Sequence, residues 1–192
     1  MMKFRTLNAD EIEVKIKQVK ENGIVALLYK TARTDMDILD ETVGPENWEC
    51  NYEEIKNNLY CSISIWCDGR YVTKKDCGIE SREDEEGNEK KGEASDAFKR
   101  AGFKWGIGRA LYTSPFIWIS SDKAKIVEIV EPKNGKKTYK CYDKFSVGKI
   151  RYSEDGKRIT GLVIWNGTKG NWAYIYSEPM PNQNGGNNDN KN

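Results

Sequence analysis

Lys90-Lys91-Gly92-Glu93-Ala94-Ser95-Asp96-Ala97-Phe98-Lys99-Arg100-Ala101-Gly102-Phe103-Lys104-Trp105-Gly106-Ile107-Gly108-Arg109-Ala110-Leu111-Tyr112 reads as one helix. At about 100° of rotation per residue, Ala94, Ala97, Phe98, Ala101, Trp105, Gly108 and Tyr112 gather on one side, the side that packs on a sheet. Lys99 projects nearly opposite. Arg100 and Lys104 flank the packed face along one edge, and Arg109 stands on the other. Glycine costs a helix about 1 kcal/mol relative to alanine. Glycines at 102, 106 and 108 therefore point to a close approach by a sheet, a neighbouring subunit or a phosphate backbone. A cationic helix of this kind is a candidate nucleic-acid contact; the plainer reading is a solvated charged face.

The bulk charge neither helps nor forbids that contact. The chain has 192 residues, 31 lysines and arginines against 30 carboxylates, and a net charge of +1. The field of the whole molecule does not draw it onto a polyanion, so binding must come from local segregation. Glu80, Glu83, Asp84, Glu85, Glu86, Glu89 and Glu93 crowd residues 80–93, whereas residues 97–112 hold Lys99, Arg100, Lys104 and Arg109 and no carboxylate. Histidine is absent, and the five cysteines (Cys50, Cys61, Cys67, Cys77, Cys141) never form Cys-x-x-Cys. Reduced, packed thiols in a cytoplasmic protein are expected; the spacing is wrong for a Cys-only zinc site. The first residues lack a basic-then-apolar leader pattern, and no apolar run approaches the ~20 residues that span a bilayer. No membrane association is expected.

Outward from the helix, period decides the elements. Upstream, Leu59, Cys61, Ile63, Ile65 and Cys67 alternate with Tyr60, Ser62, Ser64 and Trp66, which predicts a strand. Asp68-Gly69 suits a tight hairpin turn, and Tyr71–Ile79 the returning strand. The charged residues 80–91 form a loop. Further upstream, Asn8 as N-cap with Ile12, Ile16 and Val19 at helical spacing predicts a helix over 8–22, stopped by Gly23. Ile24–Tyr29 reads as a strand, and 34–42 as a short helix capped by Thr34 or Asp35. Gly44-Pro45-Glu46-Asn47 is turn chemistry. Downstream, Pro115 ends the helical region and Phe116–Ile119 is a short apolar run. Strands are expected at Lys125–Glu131, Thr138–Tyr142, Lys144–Ser153, Arg158–Trp165 and Trp172–Tyr176. Asn134-Gly135, Asp155-Gly156 and Asn166-Gly167 separate most of them. Residues 179–192, rich in Asn and Gly, cannot bury a core, and a disordered tail is expected.

Glu93 to Ala101, followed by Trp105-Gly106-Ile107-Gly108-Arg109-Ala110-Leu111-Tyr112, resembles the single-strand annealing proteins of the Rad-fifty-two superfamily, most closely the bacteriophage Sak-type recombinases. Tyr29–Trp48, ending in Val43-Gly44-Pro45-Glu46-Asn47-Trp48, is similar to the family segment before its central hairpin. Cys77-Gly78-Ile79 is similar to a family strand end. The resemblance covers about residues 8–120.

It implies an α+β fold: a curved antiparallel β-sheet with a β-hairpin core, crossed by a long helix over 92–112, with a β-rich C-terminal segment. The parts would be an annealing core at 1–120, a β-rich extension at 121–178 and the tail at 179–192. The implied function is ATP-independent binding of single-stranded DNA and annealing of complementary strands in phage-type homologous recombination and DNA repair, in the bacterial cytoplasm. The implied assembly is a homo-oligomeric ring or filament. A single-strand-binding protein or exonuclease of host or phage is a further candidate partner. On this resemblance Lys99 and Arg100 match the pair that holds the DNA backbone. Arg33 is the nearest match to a family arginine that also reaches DNA, and Lys104 and Arg109 follow by position in the motif. No cofactor, metal or catalytic residue is implied. The long regulatory C-terminal region of the eukaryotic members has no counterpart, and residues 125–177 receive no role.

The physics of annealing suits these residues. Phosphates must be neutralised while bases stay free to pair, which Lys and Arg do without reading sequence. An oligomer sums small patches. Tyr60, Trp66 or Tyr71 could stack on bases, although packing beneath the helix or between subunits suits Trp66 better. Two rival readings stay open. Asp40 with Glu54-Ile55-Lys56 has the flavour of a metal-dependent nuclease, though Glu-x-Lys arises easily by chance in a charged chain. An oligomeric interaction module of the same fold is the other. No Walker-type phosphate loop and no hydrolytic triad is present, so an enzyme is not expected.

Overall fold

The computed structural model describes residues 2–79, 89–132 and 135–179. The expected loop at 80–91 lies outside the described residues up to 88, as do Asn134 and the expected tail from residue 180. The fold is mixed α+β, and every described strand pairing is antiparallel.

The expected helix at 8–22 is instead a strand. Only Ala9–Glu11 make a helical turn, closed by the Asn8 N–H donating to the Glu11 carboxylate at 2.6 Å. Strand β1 (Ile12–Lys20) follows. Ile12, Val14 and Ile16 alternate with charged residues, and a bulge between Ile16 and Gln18 restores Val19 to the core face. Positions 12 and 16 satisfy both periods, and 19 only the helical one; β-branched Val14 and the one-residue bulge resolve the segment as a strand. β1 pairs with β2 (Gly23–Lys30). Helix α1 (Ala32–Val43) begins earlier than expected because Thr31 is its cap, accepting from the Thr34 N–H at 3.2 Å. Asp35 is therefore the fourth residue of the helix, in its first turn, and not its cap.

Strands β3 (Trp48–Ile55), β4 (Asn58–Cys67) and β5 (Arg70–Cys77) form a three-stranded sheet. Asp68 and Gly69 join β4 to β5 with φ of 49° and 84°, the left-handed pair of a tight hairpin. β3 was not legible as a strand: Glu49 through Glu54 are exposed on both faces, so no alternation marks it.

Helix α2 (Glu89–Trp105) lies on β4 and β5. Ala97, Phe98 and Ala101 are fully buried, and the Trp105 indole N–H donates to the Ile63 carbonyl at 3.0 Å. The carboxylates near its start are occupied by the sheet: Glu93 accepts from the Leu59 N–H at 2.8 Å and Asp96 from the Ile79 N–H at 3.1 Å. The expected run to Tyr112 breaks at Trp105. Gly106 has φ of +109°; its N–H donates to the Phe103 carbonyl at 3.0 Å and the Ile107 N–H to the Gly102 carbonyl at 3.1 Å. That double closure is the Schellman ending that glycine permits. A tight 3-10 turn, Arg109–Thr113, follows, and Tyr112 points to solvent instead of the sheet.

The remaining strands are β6 (Ile117–Ser120), β7 (Ile126–Val130), β8 (Lys137–Cys141), β9 (Phe145–Tyr152), β10 (Ile159–Asn166) and β11 (Asn171–Ser177). β7 and β8 form a hairpin. The others join the first two strands in a six-stranded sheet ordered β11-β10-β9-β1-β2-β6. This sheet crosses the boundary expected at 120/121: Ser146 of β9 pairs with Glu13 of β1. One apolar core holds residues from both sides of it, with Val147, Leu162 and Ile164 beside Ile12, Ile24 and Phe98. No helix among the described residues is long and apolar enough to cross a membrane.

A charged pair lies inside this core. Lys30, at the end of β2, donates from Nζ to Asp35 of α1, and the two side chains are 8% and 0% exposed. The same ammonium donates to the Lys99 carbonyl of α2 at 3.3 Å. Two of the glycines explain themselves here. A Cβ on Gly102 would stand 2.5 Å from Asp35 Oδ2, and one on Gly108, at φ +68°, would stand 2.6 Å from Lys30 Cδ. The close approach read from the sequence is thus made by this pair. Gly102→Ala is expected to lower stability by about 1–3 kcal/mol despite alanine's better helix propensity, a sign that chemical denaturation reads directly.

Candidate nucleic-acid interface

A groove of about 580 Å³ opens between β2, α2 and the chain from Gly108 to Ile117. Its position follows from strand lengths. β6 pairs with β2 only from Gly23 to Ala26, which leaves the edge of β2 free from Leu27 to Lys30. Tyr29 lines this edge. Across the groove, Phe103 and Tyr112 pack ring to ring with centroids 4.3 Å apart, and Phe116 is 72% exposed.

The cations are arranged unequally. Lys99 and Arg100 line the groove. Lys99 does not project opposite the packed face; its side chain is 23% exposed, with Nζ 4.0 Å from Asp96. Arg100 Nη2 lies 3.6 Å from Asp76 Oδ1, and its Nε is buried without a hydrogen-bond partner among the described residues. Lys104 Nζ lies 3.5 Å from the other oxygen of Asp76 and donates to the Lys75 carbonyl at 2.6 Å. One carboxylate is thus shared by two cations. Lys74 adds a third cation nearby, its ammonium 4.6 Å from the Trp105 ring centroid.

Arg109 closes the end of the helix. Its Nη2 donates to the carbonyls of Phe103 and Lys104, each at 3.0 Å, and its guanidinium stands 5.4 Å from the Phe103 ring centroid. It caps α2 and steadies a groove aromatic. Arg33 is exposed on the first turn of α1, does not line the groove, and contacts no described residue by ion pair or hydrogen bond.

Of the aromatics considered in the sequence, Trp66 and Tyr71 form an exposed edge-to-face pair at 5.1 Å. They lie on the face of β4 and β5 turned away from α2, since Cys61, Ile63 and Ile65 alternate with Trp66 and face the helix. Trp66 therefore does not pack beneath the helix, and none of Tyr60, Trp66 and Tyr71 lines the groove. The aromatics that do, Tyr29, Phe103, Tyr112 and Phe116, were missed. Asp40, a candidate metal ligand of the nuclease reading, accepts instead from the Trp48 indole N–H at 2.6 Å.

Burial controls the electrostatics under the groove. It pushes the Asp35 carboxyl up to about 6, with Lys30 pulling the other way. It also pulls the Lys30 ammonium below its ordinary value, with Asp35 opposing. Comparison with protein-family models, with curated proteins and with solved structures gives no match for this chain.

Two outcomes follow from the pair. Asp35→Ala leaves Lys30 buried without its partner and should cost about 3–5 kcal/mol, whereas Lys30→Met with Asp35→Ala should recover most of that loss. The folded state also takes up the Asp35 proton before the unfolded chain does. Its contribution to stability is therefore complete below the ordinary aspartate value near 4 and is lost as pH rises through about 6. Denaturation between pH 7 and pH 4 should show the wild type gaining on Asp35→Asn.

Proposed function

We propose that the protein binds single-stranded DNA along this groove and, as a ring or filament of subunits, anneals complementary strands without ATP. The carrying observation is that Lys99 and Arg100 line a groove edged by exposed aromatics, while the nearest carboxylates are outnumbered or occupied. Asp76 serves Arg100 and Lys104 together, and Asp96 is bonded to a backbone N–H. Lys99 and Arg100 neutralise phosphates without reading bases, and the aromatics offer stacking faces that any base can use. Lys104 supports Arg100; Arg109 acts through Phe103. In this reading the sheet curves beneath α2, and the C-terminal strands widen the subunit that each ring position contributes. It agrees with the family resemblance carried by residues 93–112.

The test is affinity for oligo(dT) across a salt series. Each phosphate contact on a single strand contributes a slope of about −0.7 in log K against log salt. Lys99→Ala with Arg100→Ala should weaken binding and make the slope shallower by about 1.4. Arg109→Ala should instead lower stability by about 1 kcal/mol, through the lost capping bonds, and leave the slope in place. Arg33→Ala should change neither. An unchanged slope in the double variant removes DNA from the groove. A monomer by electron microscopy, with and without DNA, removes annealing; a ring or filament that leaves oligo(dT) unbound favours the oligomeric interaction module.

A further inference from the structure

The six-stranded sheet covers its inner face with the core and leaves its outer face open. Register places one cross-strand row on that outer face. Tyr29 of β2 pairs with Glu13, Glu13 with Ser146, Ser146 with Trp165, and Trp165 with Trp172. Directly paired residues share a face, so the row runs from the groove edge to the last strand. At about 4.8 Å per strand it spans about 19 Å.

Aromatic rings stand at both ends of the row, with Glu13 and Ser146 between them. Trp165 and Trp172 meet edge to face with centroids 4.7 Å apart, and Trp172 is 47% exposed. Gly148 makes room for it: a Cβ there would lie 2.6 Å from the indole ring. At the other end, Tyr29 carries the Lys15 ammonium 5.3 Å from its ring centroid. The charges of the face favour a polyanion. Glu13, the acid in the row, is paired with Lys15 at 3.5 Å. In the adjacent rows, Lys149 faces Val163 and Arg151 faces Gly161. Among the described residues Arg151 is held by neutral acceptors: the Thr160 carbonyl and Ser177 Oγ, each at 3.0 Å, Thr160 Oγ1 at 3.2 Å and the Glu178 carbonyl at 3.4 Å. Lys149 makes no ion pair with a described residue.

We propose that this outer face is a second single-stranded DNA site, a stacking platform on which bases lie against Trp172 and Trp165 while Lys149 and Arg151 meet the phosphates. It rests on the groove reading, because Tyr29 edges both surfaces and a strand leaving the groove there passes onto the row.

The experiment compares oligo(dT) with an abasic strand of equal length. Trp172→Ala should weaken oligo(dT) binding about tenfold, Trp172→Phe should keep most of it, and the Ala penalty should vanish on the abasic strand. Lys99→Ala with Arg100→Ala should lose affinity on both strands. Wild-type affinity in Trp172→Ala overturns the platform and leaves the groove intact. A penalty for Trp172→Ala with none for the groove variant keeps the platform and overturns the groove. A changed sedimentation coefficient in Trp172→Ala with unchanged DNA affinity makes the face a contact between copies of this chain, which also overturns the proposal. Should Trp172→Ala fail to fold, photocross-linking of the wild type to bromodeoxyuridine DNA decides: adducts at Trp172 or Trp165 support the platform, and adducts confined to the groove overturn it.

Discussion

The buried contact between Lys30 and Asp35 sets the terms for everything around the groove. Two opposite charges inside a core hold only if they stay close, the more so here because Asp35 Oδ1 is buried without a hydrogen-bond partner among the described residues. Asp35 comes from α1 and Lys30 from β2, and the third partner is the Lys99 carbonyl of α2. Three elements are therefore fixed to one another at a single point. Gly102 and Gly108 let the helix and its ending come down to that point, where any side chain would collide with the pair. Because the carbonyl that Lys30 uses belongs to Lys99, the cations of the groove start from a backbone position that the core itself determines.

The near-zero net charge of the chain is compatible with a polyanion partner for a related reason. What matters is which carboxylates are free to oppose which cations. Glu93 and Asp96 accept backbone N–H bonds from the ends of the small sheet, so their charge ties α2 to β4 and β5. Asp76 divides itself between Arg100 and Lys104. These partly exposed pairs are worth little as stabilisation, which leaves the cations ready to exchange a carboxylate for a phosphate.

How much was legible in the sequence depended on whether one face of each segment was buried. β4 has a buried face and an open face, and alternation gave it away; its partner β5 followed from Asp68-Gly69. β3 is exposed on both faces and left no pattern. β1 carried a pattern consistent with two periods, because a bulge moved Val19 by one position. The helix was read as too long because its facial pattern continues to Tyr112, while the glycine that ends it stands among two others placed for different reasons. Gly106 serves the backbone turn, Gly102 and Gly108 the ion pair. Lys99 and Arg100 were found from local composition. Lys30 and Asp35 were not, since a lysine at the end of an apolar strand and an aspartate in the first turn of a helix are both ordinary until the fold encloses them. The groove aromatics come from three separate stretches, and only the tertiary structure assembles them.

Strand β2 carries the consequence of all this in its register. Ala26, Leu28 and Lys30 face inward, paired with Ile16, Val14 and Ile12 of β1, and Leu27 and Tyr29 face outward. The same five residues thus supply part of the core, one end of the buried pair, the free edge of the groove and the first aromatic of the outer row. A shift of one residue would turn Lys30 to solvent and Tyr29 into the core. That error is opposed at both ends of the strand. Lys30 is anchored by Asp35, and Gly23 is held where a Cβ would collide with Trp118 of β6. The bulge in β1 lets its nine residues pair with the eight of β2 between those two anchors. The pair beneath the helix and the aromatic row on the far face are therefore fixed by one register, and a change that releases Lys30 acts on both surfaces together.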